Sequence, residues 1–284
     1  MAGENVYVLR YAKHPSSAIA GATHAKLTPG TASKANQGAA GTTGRKGTLV
    51  TDKRIDAEVF ALDVIYTLTG VVHGVTTLTY PVFARLVPRT TVKTNQGAAG
   101  SPGPAGAVVT HRELGVEVYG LSYAEILGLL EDAAATLTLS ILGEAGAAQS
   151  IAITNVYFDR IVNPVEFPAK DEGGKLAAWG VGGECHFGDA ETFADVITAT
   201  PTNYTAMLAK IGATAANLVL GTYGAAGAAE KHTIKNVYFH SPIGNIEIPA
   251  KDVAGKLSTF GIRGQAIWGA NDTFALMLTA GSDS

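Results

Sequence analysis

The chain has 284 residues, enough for one large or two moderate domains that bury a core without disulfide or metal staples. It is 46% hydrophobic and only 16% charged, with 34 glycines, so its slightly positive mean hydropathy reflects small residues and not long aliphatic runs. A formal charge of −3 lacks the basic excess of a protein that grips phosphates, and the single Cys185 excludes an internal disulfide framework and cannot by itself make a structural zinc site.

The N-terminus, Met1-Ala2-Gly3-Glu4-Asn5, has neither a basic nor an apolar signal region. No stretch approaches the roughly 18 to 20 apolar residues of a membrane helix, so a soluble chain made in the cytoplasm is expected. Residues 1–29 read as an N-terminal arm. A glycine-rich loop follows, Asn36-Gln37-Gly38-Ala39-Ala40-Gly41, and then a strand-like run from Gly47 to Leu62. The phrase recurs as Asn95-Gln96-Gly97-Ala98-Ala99-Gly100, an offset of 95 − 36 = 59, and Glu58-Val59 and Leu62 meet Glu117-Val118 and Leu121 at the same spacing. The run from Gly106 to Leu121 is therefore read as one or two strands as well.

Arg45 and Lys46 beside these glycines raise the question of a phosphate-binding loop. No Gly-Lys-Ser/Thr tripeptide is present, and the second copy carries Pro104 and Ala105 instead of the cations. Loops of about a dozen residues usually mean function or disorder. Low side-chain bulk lets such loops lie against a neighbour's backbone or sheet edge, which makes Asn36, Gln37, Gly38, Gly41, Asn95, Gln96, Gly97 and Gly100 candidate subunit contacts.

Downstream, Tyr123, Ile126, Leu127 and Leu130 follow helical spacing behind a capping Ser122, and Tyr204, Met207, Leu208 and Ile211 repeat the stripe behind Asn203. Strand-like runs follow at Thr136–Leu142 and Asn217–Tyr223. Asn155-Val156-Tyr157-Phe158 then recurs as Asn236-Val237-Tyr238-Phe239, an offset of 236 − 155 = 81. In the first of these strands, alternation puts Ile151, Ile153, Asn155 and Tyr157 on one face and Ala152, Thr154, Val156 and Phe158 on the other. Pro168-Ala169-Lys170-Asp171 meets Pro249-Ala250-Lys251-Asp252, and Thr192-Phe193-Ala194 meets Thr273-Phe274-Ala275. Further strands are expected at 175–187, 192–199, 256–268 and 273–280. Lys170, Asp171, Lys251 and Asp252 read as polar turns, with an intersubunit charge pair as the functional alternative.

The order is first part, first part, second part, second part. Nesting explains it: a unit at 93–201 inserted into another formed by 30–92 plus 202–281 makes both copies complete, with crosswise pairing as the alternative. The expected fold is mainly β, two β-sandwich or barrel units each with a flanking helix.

Chemistry is sparse. Glu184, Cys185 and His186 hold thiol, imidazole and carboxylate, but neighbours on a strand point to opposite faces, and Cys185 and His186 fall opposite Ala266 and Ile267 in the repeat. No histidine pair has metal-ligand spacing, and no nucleophile elbow occurs. No catalytic residue, cofactor or metal site is expected.

The Asn-Val-Tyr-Phe strand, the Pro-Ala-Lys-Asp turn, the Gly-x-x-Gly strand ending in Phe187-Gly188 or Trp268-Gly269, and the closing Thr-Phe-Ala segment resemble virion structural proteins of tailed bacteriophages, the tail tube proteins in particular. That resemblance covers about 30–281. It implies a β-sandwich with a flanking helix, self-assembly into stacked hexameric or pseudo-hexameric trimeric rings, other virion proteins as partners, and passive passage of DNA. It also implies a place in the virion tail, assembled in the host cytoplasm, and no membrane. Two alternatives stand beside it: a capsid decoration or head-tail joining protein, and a carbohydrate-binding module presenting Trp179 and Trp268 as an aromatic platform.

Overall fold

The computed structural model describes residues 8–36, 47–62, 67–79, 81–95, 106–143, 146–163, 179–188, 190–200, 203–224, 227–248, 259–269 and 272–283. Its elements in the first half are β1 (Val8–Lys13), β2 (Ala22–Asn36), β3 (Gly47–Leu62), β4 (Thr67–His73), β5 (Thr76–Leu78), β6 (Phe83–Asn95), β7 (Gly106–Tyr119) and α1 (Tyr123–Glu131). There follow β8 (Ala135–Leu142), β9 (Ala148–Val162), β10 (Gly180–Cys185), α2 (Phe193–Val196), β11 (Ile197–Thr200) and α3 (Asn203–Leu208). The chain closes with β12 (Ala216–Tyr223), β13 (Ala229–Ile243), β14 (Ile246–Ile248), β15 (Thr259–Gly269), α4 (Phe274–Met277) and β16 (Leu278–Ser282). Among the described residues no helix is long and apolar enough to cross a membrane.

The fold is mainly β, with two large antiparallel sheets. One runs β1-β12-β13-β15-β3-β2, with β16 also on β13; the other runs β5-β4-β8-β9-β10-β7-β6-β14, with β11 also on β9. Strands of the first half thus pair with strands of the second, β3 with β15 and β7 with β10. Without β5 and β14 the two orders are the same under the offsets of 59 and 81. Val8 opposite Tyr223 matches Thr67 opposite Leu142, and Thr31 opposite Lys53 matches Thr90 opposite Arg112. The segment expected as an arm contributes β1 and the first half of β2.

Apolar alternation selects the buried face: Leu137, Leu139 and Ile141 on β8, and Leu114, Val116 and Val118 on β7, enter one core. On β9 the simple alternation read from the sequence breaks. Asn155 takes a left-handed backbone (φ 54), which shifts the phase, so Ile151 and Ile153 are buried before it and Val156 and Phe158 after it. Asn236 (φ 58) does the same in β13, and asparagine tolerates this conformation better than branched residues. Four residues beyond each asparagine the strand bulges, at Asp159 and His240, and Gly183 and Gly264 fit beside the bulge. A Cβ on Gly183 would fall on the Tyr157 carbonyl, and one on Gly264 on that of Tyr238, which is the physical meaning of the repeated Gly-x-x-Gly.

Two expected strands begin instead with a helical turn. Thr192 caps with Asp195, its Oγ1 donating to the Asp195 carboxylate at 2.7 Å, so Phe193–Val196 closes a helical turn before β11 begins; Phe274–Met277 repeats the turn before β16. At α1, Ser122 and Glu125 form a capping box. Burial pushes the Glu125 carboxyl up, but hydrogen bonds from the Thr79 hydroxyl and amide and from Ser122 outweigh it and hold the group at about 2. Ile126 and Leu129 form the buried stripe of α1, whereas Tyr123 and Leu127 are exposed because the helix rolls toward β9 and β10.

Two buried histidines bind the strand ends. His14 donates from Nε2 to the Val237 carbonyl at 2.8 Å and meets Phe239 edge-on; His73, 59 residues on, donates to the Val156 carbonyl at 3.0 Å and meets Phe158. A carbonyl only accepts, so Nε2 carries the hydrogen in both rings.

Three outcomes follow. Gly183→Ala and Gly264→Ala each lower stability by about 2–4 kcal/mol in urea unfolding, because a backbone contact cannot relax as a side chain would. His14→Ala and His73→Ala each cost about 2–4 kcal/mol, through a lost hydrogen bond and a cavity beside phenylalanine. Burial lowers the His14 pKa below 6.5, so the neutral ring's contribution is complete above pH 6.5 and is lost as pH falls; His14→Ala flattens the stability change between pH 7.5 and 5.5.

Candidate functional site

The cluster around Cys185 does not assemble a reactive site. The thiol is buried and donates to the Thr154 carbonyl at 2.9 Å; burial, then the Glu191 charge, pushes it up to about 11, far from a thiolate nucleophile at neutral pH. His186 stands 3.8 Å from Glu184 on the other face of the strand. Among the described residues no group of three or more His, Cys, Asp or Glu is placed to hold a metal. Trp179 and Trp268 are half-buried against the core, and the Trp179 indole donates to the Leu121 carbonyl at 2.6 Å.

The distinctive surfaces are strand margins and the two long hairpins. Among the described residues β15 accompanies β3 only from Asp52 to Leu62, and Gly47–Val50 pair with Ser33–Asn36 alone. Among the same residues β10 accompanies β7 only from Leu114 to Tyr119, and Gly106–Glu113 pair with Arg89–Asn95 alone. Each hairpin therefore leaves its sheet as a two-stranded ribbon. Asn36 ends one ribbon opposite Gly47, and Asn95 ends the other opposite Gly106. Gln37, Gly38, Gly41, Gln96, Gly97, Gly100, Lys170, Asp171, Lys251 and Asp252 lie outside the described residues.

A strand carried over from one sheet closes the margin of the other. β13 ends at Ile243, Gly244 turns the chain with a left-handed backbone (φ 74), and β14 lies along β6 with Ile246, Glu247 and Ile248 opposite Leu86, Arg85 and Ala84. Ile246 and Ile248 are fully buried, worth roughly 1.5–3 kcal/mol each. Arg85 Nε donates to Glu247 at 3.3 Å. Two further bonds fix the joint: Thr90 Oγ1 donates to the His240 carbonyl at 2.8 Å, and the Val109 amide donates to Tyr238 Oη at 3.1 Å. Through β14 the runs β2-β3-β15-β13 and β6-β7-β10-β9 become neighbours.

The faces of these two runs that point away from the core carry matching ion clusters. Glu58 holds Arg263 at 2.8 Å and Lys26 at 3.8 Å; its counterpart Glu117 holds Arg85 at 3.0 Å and Arg160 at 3.9 Å. Glu117 also accepts from Tyr119 Oη at 2.7 Å, and burial followed by this bond pushes that phenol up to about 12. Lys26 and Arg85 are related by the offset of 59. The second cation has changed strands: Arg160 faces Gly182 in one sheet, and Ser241 faces Arg263 in the other. The charge stays in place although the residue bearing it does not.

Compared with protein-family models, curated proteins and solved structures, the chain matches none.

The exchange predicts a compensated pair. Arg160→Ser weakens stability by about 0.5–1 kcal/mol, and Gly182→Arg alone crowds Arg160 and Val162, whereas Arg160→Ser with Gly182→Arg rebuilds the other sheet's arrangement and recovers the loss in a double-mutant cycle.

Proposed function

We propose that the chain is a structural subunit of a phage tail tube, self-assembling into stacked rings that form a conduit for DNA, and that it catalyses no reaction. The observation that carries this reading is the joint at β14, where the margin of one sheet is completed by a strand that continues from the other sheet. Units that complete one another's margins need no further chemistry to polymerise, and rotation between like units closes rings. The recurrence of registers at offsets of 59 and 81 supports two like units per chain, so three chains would supply six.

The layout also supports a wall. In a ring built by joining strand margins, the bulkier layer of helices and outer strands belongs at larger radius, and the opposite face of β2-β3-β15-β13 and β6-β7-β10-β9 lines the opening. That face pairs Glu58 and Glu117 with nearby cations, which leaves little net field to hold phosphate. The projecting ribbons suit contacts between stacked rings. A carbohydrate platform is less well supported, since both tryptophans pack on the core.

Negative-stain microscopy of the purified chain tests the reading: long hollow tubes are expected, and gel-shift titration with duplex DNA at physiological salt gives no retained band. Closed trimers that bind only to capsids would support decoration instead, and a chain that stays monomeric at high concentration ends both readings.

A further inference from the structure

Among the described residues the internal joint has a counterpart that no strand covers. The strand β6, covered by β14, corresponds at offset 59 to β2, and the likeness is close: Ala84, Leu86, Pro88 and Thr90 match Ala25, Leu27, Pro29 and Thr31. Ala84 and Leu86 are fully buried beneath β14, but Ala25 and Leu27 are only partly buried. They open onto a cleft of about 460 Å³, lined by Val8, Leu9 and Leu220 and on its polar side by Thr222 and His232, and Leu27 and Ala25 correspond there to the Leu86 and Ala84 that Ile246 and Ile248 face in the other sheet. Among the described residues β2 pairs only with β3.

The complementary half of the joint is exposed on β9. Tyr238, bonded to the Val109 amide, is 5% exposed, while its counterpart Tyr157 is 39% exposed. Ile161, on the same margin of β9, is 43% exposed. Asn163 has φ 62 where Gly244 has φ 74, so both strands end on a left-handed residue at the same place in the repeat. The sequence that follows, Val165-Glu166-Phe167, lies outside the described residues and aligns at offset 81 with Ile246-Glu247-Ile248, the plug of the internal joint.

We propose that the β2 margin and its cleft receive a second copy of this chain, head to tail, in the register of the internal joint. Thr31 Oγ1 donates to the Asp159 carbonyl of the next copy, as Thr90 does to His240, and the Val50 amide donates to its Tyr157, as Val109 does to Tyr238. Within one chain no ladder joins β9 to β2 among the described residues, and repeating the operation that relates the two units carries β9 to the β2 of another copy. The seam rests on the self-assembly proposed above, but not on the product being a tube.

Two experiments test it. Thr31→Cys and Asp159→Cys chains are purified separately, mixed, and treated with a short thiol-reactive crosslinker; Cys185 is buried and gives little background. Covalent dimers are expected only in the mixture. No dimer in the mixture, or an internal link within the double variant without dimers, overturns the seam. In the second, Thr31→Val and Tyr157→Phe each remove one hydrogen bond across the seam and raise the assembly threshold by about threefold to tenfold. A threshold unchanged in both variants also overturns it. Rings or short arcs that crosslink but never stack uphold the seam and sink the tail-tube reading; tubes that form without the crosslink do the reverse.

Discussion

A sheet of finite width leaves two rows of backbone donors and acceptors without partners, and the rest of this molecule is arranged around that deficit. The second sheet meets it at β6 by accepting β14, which arrives with two isoleucines and a carboxylate. Hydrogen bonds make the match directional and the apolar side chains make it favourable. A strand added without Ile246 and Ile248 would exchange water for backbone partners with little net gain.

Bends in β9 and β13 make this arrangement possible. Each long strand serves two neighbours in succession, β8 then β10 or β12 then β15, and it does so by changing phase at an asparagine and bulging four residues later. The glycines under the bulges are the steric counterpart, since the displaced carbonyl occupies the space of a side chain. Histidines at the ends of β1 and β4 then hold the carbonyls beside the bend. Backbone geometry, capping and burial thus agree at the same places in both sheets, as expected of a sequence that selects one fold.

Much of the architecture was legible from the residues alone. Strands at Thr136–Leu142, Asn217–Tyr223, Gly47–Leu62 and Gly106–Leu121 could be read because their alternation is long and the repeat gives two independent views. The helical turns at Phe193 and Phe274 were hidden, because four residues are too short for a helical period and the capping Thr192–Asp195 pair lacks its acid at Leu276. His14 and His73 escaped notice for a different reason: their flanks, Lys13 and Pro15 against Val72 and Gly74, share nothing, so only the shared carbonyl and aromatic contacts reveal the equivalence. The displaced arginine was likewise invisible in one dimension. Arg160 and Arg263 do not align, and only cross-strand register shows that they serve the same carboxylate position.

The interrupted course of the chain bears on its synthesis. Every strand of the second sheet except β14 lies in one continuous run from β4 to β11, so that sheet can form as soon as this run leaves the ribosome. The first sheet must wait, holding β1, β2 and β3 while β12 to β16 are still being made. During that delay the margin of β3 that later receives β15 stands open, and its row of alternating apolar residues is the segment of the nascent polypeptide most in need of chaperone cover.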